Sequence, residues 1–123
     1  MAKRTRQTRQ QAERRGRLSE HAAALLLRLK GYQILAERVR TPVGEVDLIA
    51  RRGSTLCFVE VKQRKTTKLA QTSVPQKNWM RIASAAATWA SKNQDHSALN
   101  WRYDLVAVSP RYWPTHFKAY WRP

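Results

Sequence analysis

The 123-residue chain is poor in several residue types, and each shortage excludes a class of protein. Cys57 is the only cysteine, which excludes an internal disulfide and a cysteine-based zinc cluster and fits a reducing cytoplasm. Acidic side chains number eight against 24 basic ones, so the formal net charge is +16. A charge so far from zero exceeds what solubility needs and favours a polyanionic partner such as nucleic acid.

Long hydrophobic runs are absent too. Residues 22–27 form the longest apolar stretch and Arg28 follows at once, so this segment is far too short to span a bilayer and no membrane partner is expected. The chain also lacks a P-loop and a G-x-G-x-x-G motif, which leaves binding of ATP or a dinucleotide without support. The apolar residues that remain suffice for the core of one domain in a chain of this length.

The first 17 residues hold seven basic side chains and one acid. We interpret residues 1–17 as a flexible arm that contacts a polyanion, and residues 18–123 as a single domain. A transit peptide would share this balance, but an arm also suits the basic remainder of the chain. The cations of the arm that we assign to nucleic-acid binding are Lys3, Arg4, Arg6, Arg9, Arg14, Arg15 and Arg17.

Apolar periodicity predicts a first helix over residues 13–30, ended by Gly31. Its apolar stripe comprises Leu18, Ala22, Leu25, Leu26 and Leu29. Glu20 lies on a second flank in line with Ala24 and Leu27, so this carboxylate has apolar neighbours and is a candidate for burial.

A second helix is predicted with Pro75 in its first turn and Thr72 or Ser73 as its cap. Its apolar face comprises Trp79, Ile82, Ala83, Ala86 and Ala90. Segments rich in β-branched and aromatic residues predict five strands, at residues 32–39, 44–51, 55–64, 101–109 and 116–121. The resulting order, α-β-β-β-α-β-β, predicts an α/β fold with a mixed β-sheet flanked by helices.

The turn between the second and third strands determines which side chains face each other. If the Gly53–Ser54 dipeptide forms a two-residue type II′ turn, Asp47 faces Glu60 and Glu45 faces Lys62. Two carboxylates directly opposite each other on a sheet repel and destabilise the pairing. Something positively charged is therefore expected between Asp47 and Glu60.

A divalent cation meets this need, since Mg²⁺ prefers oxygen ligands and commonly takes one or two carboxylates together with waters and phosphate oxygens. Lys62 adds a positive charge beside Glu60. Carboxylates, metal and lysine are what phosphodiester hydrolysis requires, because the metal lowers the pKa of a water and lysine stabilises the charge of the transition state. The alternative is a solvated strand face on which Lys62 and an arginine neutralise both acids.

The pattern D-x12-E-V-K, formed by Asp47, Glu60, Val61 and Lys62, resembles the PD-(D/E)XK nuclease superfamily, and the helix residue Glu20 is shared with its archaeal Holliday-junction resolvase branch. More specifically, the chain resembles the YraN-like family of small bacterial endonuclease-like proteins. The segments that carry this resemblance are G-R-L-S-E (16–20), L-R-L-K-G-Y-Q-I-L (27–35), G-E-V-D-L-I-A-R (44–51), F-V-E-V-K-Q-R (58–64), Q-K (76–77) and R-Y-D-L-V-A-V (102–108).

The resemblance implies a restriction-endonuclease-like fold and a Mg²⁺- or Mn²⁺-dependent endonuclease acting on DNA, with branched DNA as a structure-selective substrate by analogy. The catalytic residues that it implies are Glu20, Asp47, Glu60 and Lys62. The metal ligands that it implies are Asp47, Glu60, Glu20 and the carbonyl oxygen of Val61. The proline that precedes the aspartate in the superfamily is Val46 here, as is usual in YraN-like proteins.

Two other functions remain compatible with these residues. One is a non-catalytic nucleic-acid-binding module that retains the nuclease fold, and the other is a basic RNA-binding protein whose carboxylates are merely salt-bridged. A homodimer is compatible with the sequence as well. The cations of the domain that we assign to phosphate contacts are Arg51, Arg52, Arg64, Lys65, Lys68, Lys77 and Arg81.

Aromatic residues interleave with cations near the C-terminal end of the chain. Trp113, Phe117, Tyr120 and Trp121 could stack on unpaired bases, but packing of a terminal strand is the favoured interpretation. For Asp104, a pairing with a nearby arginine is favoured over membership of the acidic site.

Overall fold

The computed structural model describes the backbone of residues 6–123 and, within that range, all side chains except those of residues 6–9, 12, 13 and 15. Two cations of the predicted arm, Lys3 and Arg4, lie outside the described residues. The same holds for the side chains of Arg6, Arg9 and Arg15. Among the helices that are described, none is long and apolar enough to cross a membrane.

The chain folds as a five-stranded mixed sheet with helices on both faces, which confirms the predicted α/β class. Strands follow one another across the sheet in chain order, and only β3 and β4 run parallel. The predicted elements are all present, and two short helices, α2 and α4, are added to them. The elements are α1 (Arg6–Leu29), β1 (Gln33–Thr41), β2 (Gly44–Arg52), β3 (Thr55–Gln63), α2 (Thr67–Gln71), α3 (Gln76–Lys92), α4 (Gln94–Ser97), β4 (Asn100–Val108) and β5 (Thr115–Trp121).

Helix α1 begins at Arg6, seven residues before the predicted start, and so includes much of the segment that we interpreted as an arm. The predicted apolar stripe was wrong, because Leu18, Leu25 and Leu29 are exposed. The face against the sheet instead carries Ala23, Ala24 and Leu27. These alanines are small, so the helix can approach the sheet closely, and the turn that precedes them delivers Glu20 to the sheet surface.

Helix α3 covers the opposite face of the sheet, where its buried residues are Trp79, Ile82, Ala85, Ala86 and Ala90. The N-cap is Pro75 and no side chain caps the helix, which corrects the prediction of a Thr72 or Ser73 cap. Both hydroxyls are used elsewhere, since Thr72 donates to the Lys68 carbonyl and Ser73 to the Ala70 carbonyl at the end of α2.

The hairpin between β2 and β3 has the predicted register, with pairs running from Arg52–Thr55 to Leu48–Val59. Gly53 has a φ of 59°, a left-handed conformation that a type II′ turn requires at its first position and that glycine adopts without strain. This turn therefore brings the acidic end of β2 next to the acidic end of β3.

Asp104, in the middle of β4, is fully buried and accepts four hydrogen bonds. Arg102 donates through Nε and Nη2 at 2.8 Å each, His116 Nε2 lies 2.7 Å away, and the N–H of Ala119 donates at 2.9 Å. Arg102 also donates to the Tyr32 hydroxyl at 2.7 Å, which ties β4 to the segment after α1. The favoured interpretation of Asp104 as a structural partner of an arginine is confirmed.

The buried carboxylate of Asp104 remains ionised. Burial by itself would raise the pKa of Asp104, but the hydrogen bonds from its partners outweigh burial and lower the pKa to about 2. Ala119 adopts a φ of 50° at an irregularity of the β4–β5 ladder, and this left-handed conformation accompanies the contact of its N–H with the carboxylate. The strain at Ala119 is offset by satisfying a buried charge.

Close approach of α3 to β2 depends on Gly44. A Cβ at this position would overlap the carbonyl group of Arg81. The Gly44→Ala variant should lose about 1–3 kcal/mol of unfolding free energy, because the added methyl group forces helix and strand apart. Thermal unfolding measures this, with Gly16→Ala as the control, since a Cβ at Gly16 meets nothing within 4 Å. Equal melting temperatures for the two variants would contradict the prediction.

Replacing the buried Asp104 carboxylate by an amide, in Asp104→Asn, should destabilise the fold by about 3 kcal/mol at neutral pH, because the partly buried charge of Arg102 loses its partner. The pKa of Asp104 is lower in the folded chain than in the unfolded chain. Its stabilisation is therefore present above about pH 4 and is lost as the pH falls towards about 2. Urea denaturation of both proteins across this range should show the difference shrinking, and a constant difference would refute the assignment.

Candidate active site

Four side chains that the sequence singled out line one open cleft of about 580 Å³. Helix α1 supplies Glu20, strand β2 supplies Asp47, and strand β3 supplies Glu60 and Lys62. The cleft is lined further by Val61, Ser19, Gln63, Arg64, Lys65 and Pro110. Helix α1 thus meets the β2–β3 hairpin where the paired section of the hairpin ends.

Asp47 occupies the point at which β2 and β3 stop pairing through their backbones. The last paired residues are Leu48 and Val59. Beyond this pair, the backbone N–H of Val61 donates to Oδ2 of Asp47 at 2.8 Å. This bond holds the Asp47 carboxylate at the rim of β3 and leaves the space between the strands open as a cleft.

Glu60 is hydrogen-bonded to Asp47, so two carboxyl groups are in direct contact. Burial, the hydrogen bond with Asp47 and the negative charge of Asp47 raise the pKa of Glu60 to about 9, while the charge of Lys62 acts in the opposite direction. The raised pKa favours the protonated form of Glu60 at neutral pH. Asp47 and Glu60 thus lie together as predicted, and the raised pKa of Glu60 reflects the unfavourable interaction between them.

Glu20 belongs to the same electrostatic unit. Burial and the charge of Asp47 raise the pKa of Glu20, and the charge of Arg38 lowers it. Arg38 Nε lies 3.6 Å from Oε2 of Glu20, and Arg38 adopts a φ of 52° on β1. Left-handed backbone at a non-glycine residue costs free energy and is found often at functional sites.

The donor set suits a hard divalent cation. The charge of Asp47 raises the pKa of Glu60, so a cation at this place would relieve their repulsion, and carboxylate oxygens are the donors that Mg²⁺ and Mn²⁺ prefer. Within the part of the chain that the structure describes, no three side chains of His, Cys, Asp or Glu are grouped closely enough to hold a metal alone. This is compatible with Mg²⁺, which usually keeps waters and substrate oxygens in its coordination sphere.

A second cleft, of about 370 Å³, adjoins the first and shares Asp47, Glu60 and Lys62 with it. Its outer wall is formed by Glu45, Asn78, Arg81 and Ile82. Sequence reasoning missed Asn78, although its spacing of three from Arg81 places both on one face of α3. Glu45, expected to face Lys62, lines this cleft together with Lys62, and its Oε1 lies 3.9 Å from Nε of Arg40 on β1.

The predicted phosphate-binding cations are divided between two ends of the sheet. Arg64 and Lys65 line the first cleft and Arg81 lines the second. Arg51 and Arg52 lie about 15 Å away at the turn of the hairpin, as follows from the rise of an extended strand. There Arg51 Nη1 lies 3.2 Å from His96 Nδ1, and the Arg52 guanidinium lies 5.6 Å from the centre of the Tyr32 ring. The other predicted phosphate-binding cations whose side chains are described are Arg14, Arg17, Lys68 and Lys77, and all four are exposed.

The C-terminal aromatic residues mostly pack, as the favoured interpretation stated. Trp121 stacks on Trp79 with ring centres 6.0 Å apart, and Phe117 contacts Tyr120 at 5.8 Å. Trp113 is the exception, with three quarters of its surface exposed.

Comparison with known proteins gives one consistent family. The profile described as "Uncharacterised protein family UPF0102" matches residues 19–108, a range that includes the four predicted catalytic residues Glu20, Asp47, Glu60 and Lys62. A UPF0102 protein from Chelativorans sp. is 51% identical over 116 residues, which is 94% of each chain. A second from Mesorhizobium japonicum is 48% identical over 94% of this chain and 93% of its own length. A third from Brucella canis is 46% identical over 86% and 84%.

The contact between Asp47 and Glu60 should lower the free energy of unfolding as the pH rises. The pKa of Glu60 is higher in the folded chain than in the unfolded chain, so the stabilisation from its protonated form is present below about pH 4.5 and is lost as the pH rises towards about 9. Glu60→Gln cannot ionise and should exceed the wild type in unfolding free energy by on the order of 1 kcal/mol at pH 8, but not at pH 4.

Denaturation in a metal chelator tests this difference at both pH values. Glu45→Gln is the matched control, because Glu45 lies on β2 but is exposed. An advantage of Glu60→Gln that is the same at both pH values would show that the pKa of Glu60 is not raised in the folded chain.

Proposed function

This chain belongs to the UPF0102 family, and we propose that it is a metal-dependent endonuclease-like protein that acts on the phosphodiester bonds of DNA. The observation that carries the proposal is the contact between the Asp47 and Glu60 carboxyl groups beside Lys62 in an open cleft. A fold gains no stability from such a contact, so a role in binding or chemistry explains it better.

Asp47, Glu60 and the carbonyl oxygen of Val61 would hold Mg²⁺ or Mn²⁺, with Glu20 completing the acidic side of the cleft. Such a cation, when bound, neutralises charge on the phosphate and lowers the pKa of a water. A cation held there would favour the ionised form of Glu60, whose pKa is raised by burial and by Asp47. It would thereby offset the repulsion between the two carboxyl groups.

Lys62 lies on the same wall of the cleft as Glu60 and counters its negative charge. An ammonium group at this position would orient the attacking water or stabilise the extra negative charge of the transition state. Arg64 and Lys65 on one side and Arg81 on the other would hold neighbouring phosphates. We place this activity in the cytoplasm, where the free thiol of the buried Cys57 would persist.

A non-catalytic nucleic-acid-binding module is the second candidate. The observation in its favour is that the described residues include no third carboxylate, histidine or cysteine within metal-binding range of Asp47 and Glu60. In that case the basic surface binds the phosphate backbone and the acidic pair does not support turnover.

A cleavage assay separates the two candidates. Single-stranded, duplex, flapped and four-way-junction DNA would be incubated with Mg²⁺ or Mn²⁺ and each of three proteins: wild type, Glu60→Ala and Lys62→Ala. We expect metal-dependent cleavage by the wild type and a loss of about 10²–10³-fold in rate in each variant, with DNA binding within a few-fold of wild type. Asp95→Ala and Lys92→Ala are matched charge controls, because both residues are exposed and lie outside the clefts.

The two readouts decide between the candidates. Cleavage that survives in Glu60→Ala would exclude this site. Unchanged binding with no cleavage by the wild type under either metal would instead favour the binding module.

A further inference from the structure

The loop between β4 and β5 presents two large aromatic side chains to solvent. Tyr112 is 74% exposed and Trp113 is 75% exposed, and Arg111 beside them is exposed as well. Prolines bracket this segment at Pro110 and Pro114, and each fixes its own φ near −65°, which limits the conformations of the loop. The aromatic rings are thus displayed on a stiff support.

This loop lies at the same end of the sheet as the acidic cleft. Pro110, its second residue, lines the cleft together with Glu60 and Lys62. The N–H of Arg64 donates to the Val108 carbonyl at 3.1 Å, which joins the exit of β3 to the start of the loop. A DNA strand bound in the cleft would therefore pass beside the exposed rings.

Packing within the fold does not account for these rings. The aromatic side chains of β5 and α3 contact one another, as Trp121 does with Trp79 and Tyr103. Tyr112 and Trp113, in contrast, leave three quarters of their surfaces in water, and exposed clusters of this kind mark interaction sites. A partner with flat apolar faces would cover them.

The charges around the loop indicate which partner has such faces. Arg64, Lys65 and Arg111 are exposed at this end of the sheet, and residues 105–123 contain no Asp or Glu. Cations interleaved with exposed aromatic rings fit single-stranded nucleic acid, in which phosphates meet the cations and unpaired bases stack on the rings. Paired bases of a duplex are already stacked and offer no free faces.

We propose that Tyr112 and Trp113 stack on unpaired bases next to the cleft and thereby select DNA that carries a single-stranded segment. This inference rests on the proposed function in one respect, since it requires that the cleft accepts DNA. It adds a recognition element outside the cleft that would favour flapped DNA, which carries unpaired bases, over uninterrupted duplex.

Equilibrium binding to labelled DNA in a metal chelator tests the proposal without turnover. The double variant Tyr112→Ala/Trp113→Ala should bind flapped DNA about tenfold more weakly, as expected for the loss of one stacked base, and duplex DNA within about twofold of wild type. The variant Tyr112→Phe/Trp113→Phe keeps the ring faces and should retain most of the affinity for flapped DNA. Leu29→Ala removes a comparably exposed apolar side chain from the far end of α1 and should change neither affinity.

Equal weakening on flapped and duplex DNA would overturn the proposal, and so would unchanged binding to both. Equal weakening would show that the rings contact DNA without selecting unpaired bases, whereas unchanged binding would make a protein partner the better explanation of the exposed rings. The result is independent of catalysis: selective weakening without cleavage would retain the stacking surface and reject the nuclease. If wild type and variant both cleave flapped and duplex DNA equally well, the nuclease proposal is retained and the stacking surface is rejected.

Discussion

The acidic cleft depends on the two-residue turn at the end of the β2–β3 hairpin. With Gly53 in a left-handed conformation, the strands pair in the single register that brings Asp47 to Glu60. A register shifted by one residue would turn one of the two carboxylates to the other face of the sheet. The position of the candidate site follows from this turn, although the turn itself lies at the opposite end of the hairpin.

Two acidic groups of this protein show how their surroundings determine what a carboxyl group can do. Asp104 is fully buried but is hydrogen-bonded by Arg102, His116 and the backbone N–H of Ala119, and the pKa of Asp104 falls to about 2. Glu60 meets another carboxyl group, and the pKa of Glu60 rises to about 9. Asp104 is therefore satisfied within the fold and serves stability, whereas the main hydrogen-bond partner of Glu60 is a second carboxyl group.

The rotation of helix α1 about its own axis determines both which side chains it buries and whether Glu20 reaches the cleft. Its alanine face lies against the sheet and so Glu20 enters the cleft, while three leucines remain in water. A leucine stripe in the core would have buried more apolar surface, but it would have turned Glu20 away from Asp47. The observed orientation fits a helix whose buried face must also carry a carboxylate to the cleft.

Local signals explain why much of this structure was predictable. The strands, the hairpin register and the acidic pair follow from alternation and turn chemistry, which act over a few residues. The YraN-like resemblance was confirmed by the family match, and the mixed α/β sheet by the structure. The buried face of α1 was not predictable, because the helix has two apolar flanks and periodicity does not say which one meets the sheet.

The sequence by itself determined the order of the elements, the pairing of Asp47 with Glu60 and the excess of positive charge. Only the tertiary structure decided that Glu20 joins the pair, that Arg51 and Arg52 lie apart from it, and that the loop carrying Trp113 lies beside the cleft. The physical reason is that these relations join residues distant in the chain. Such residues are brought together by packing of helices on the sheet and by the parallel alignment of β3 and β4.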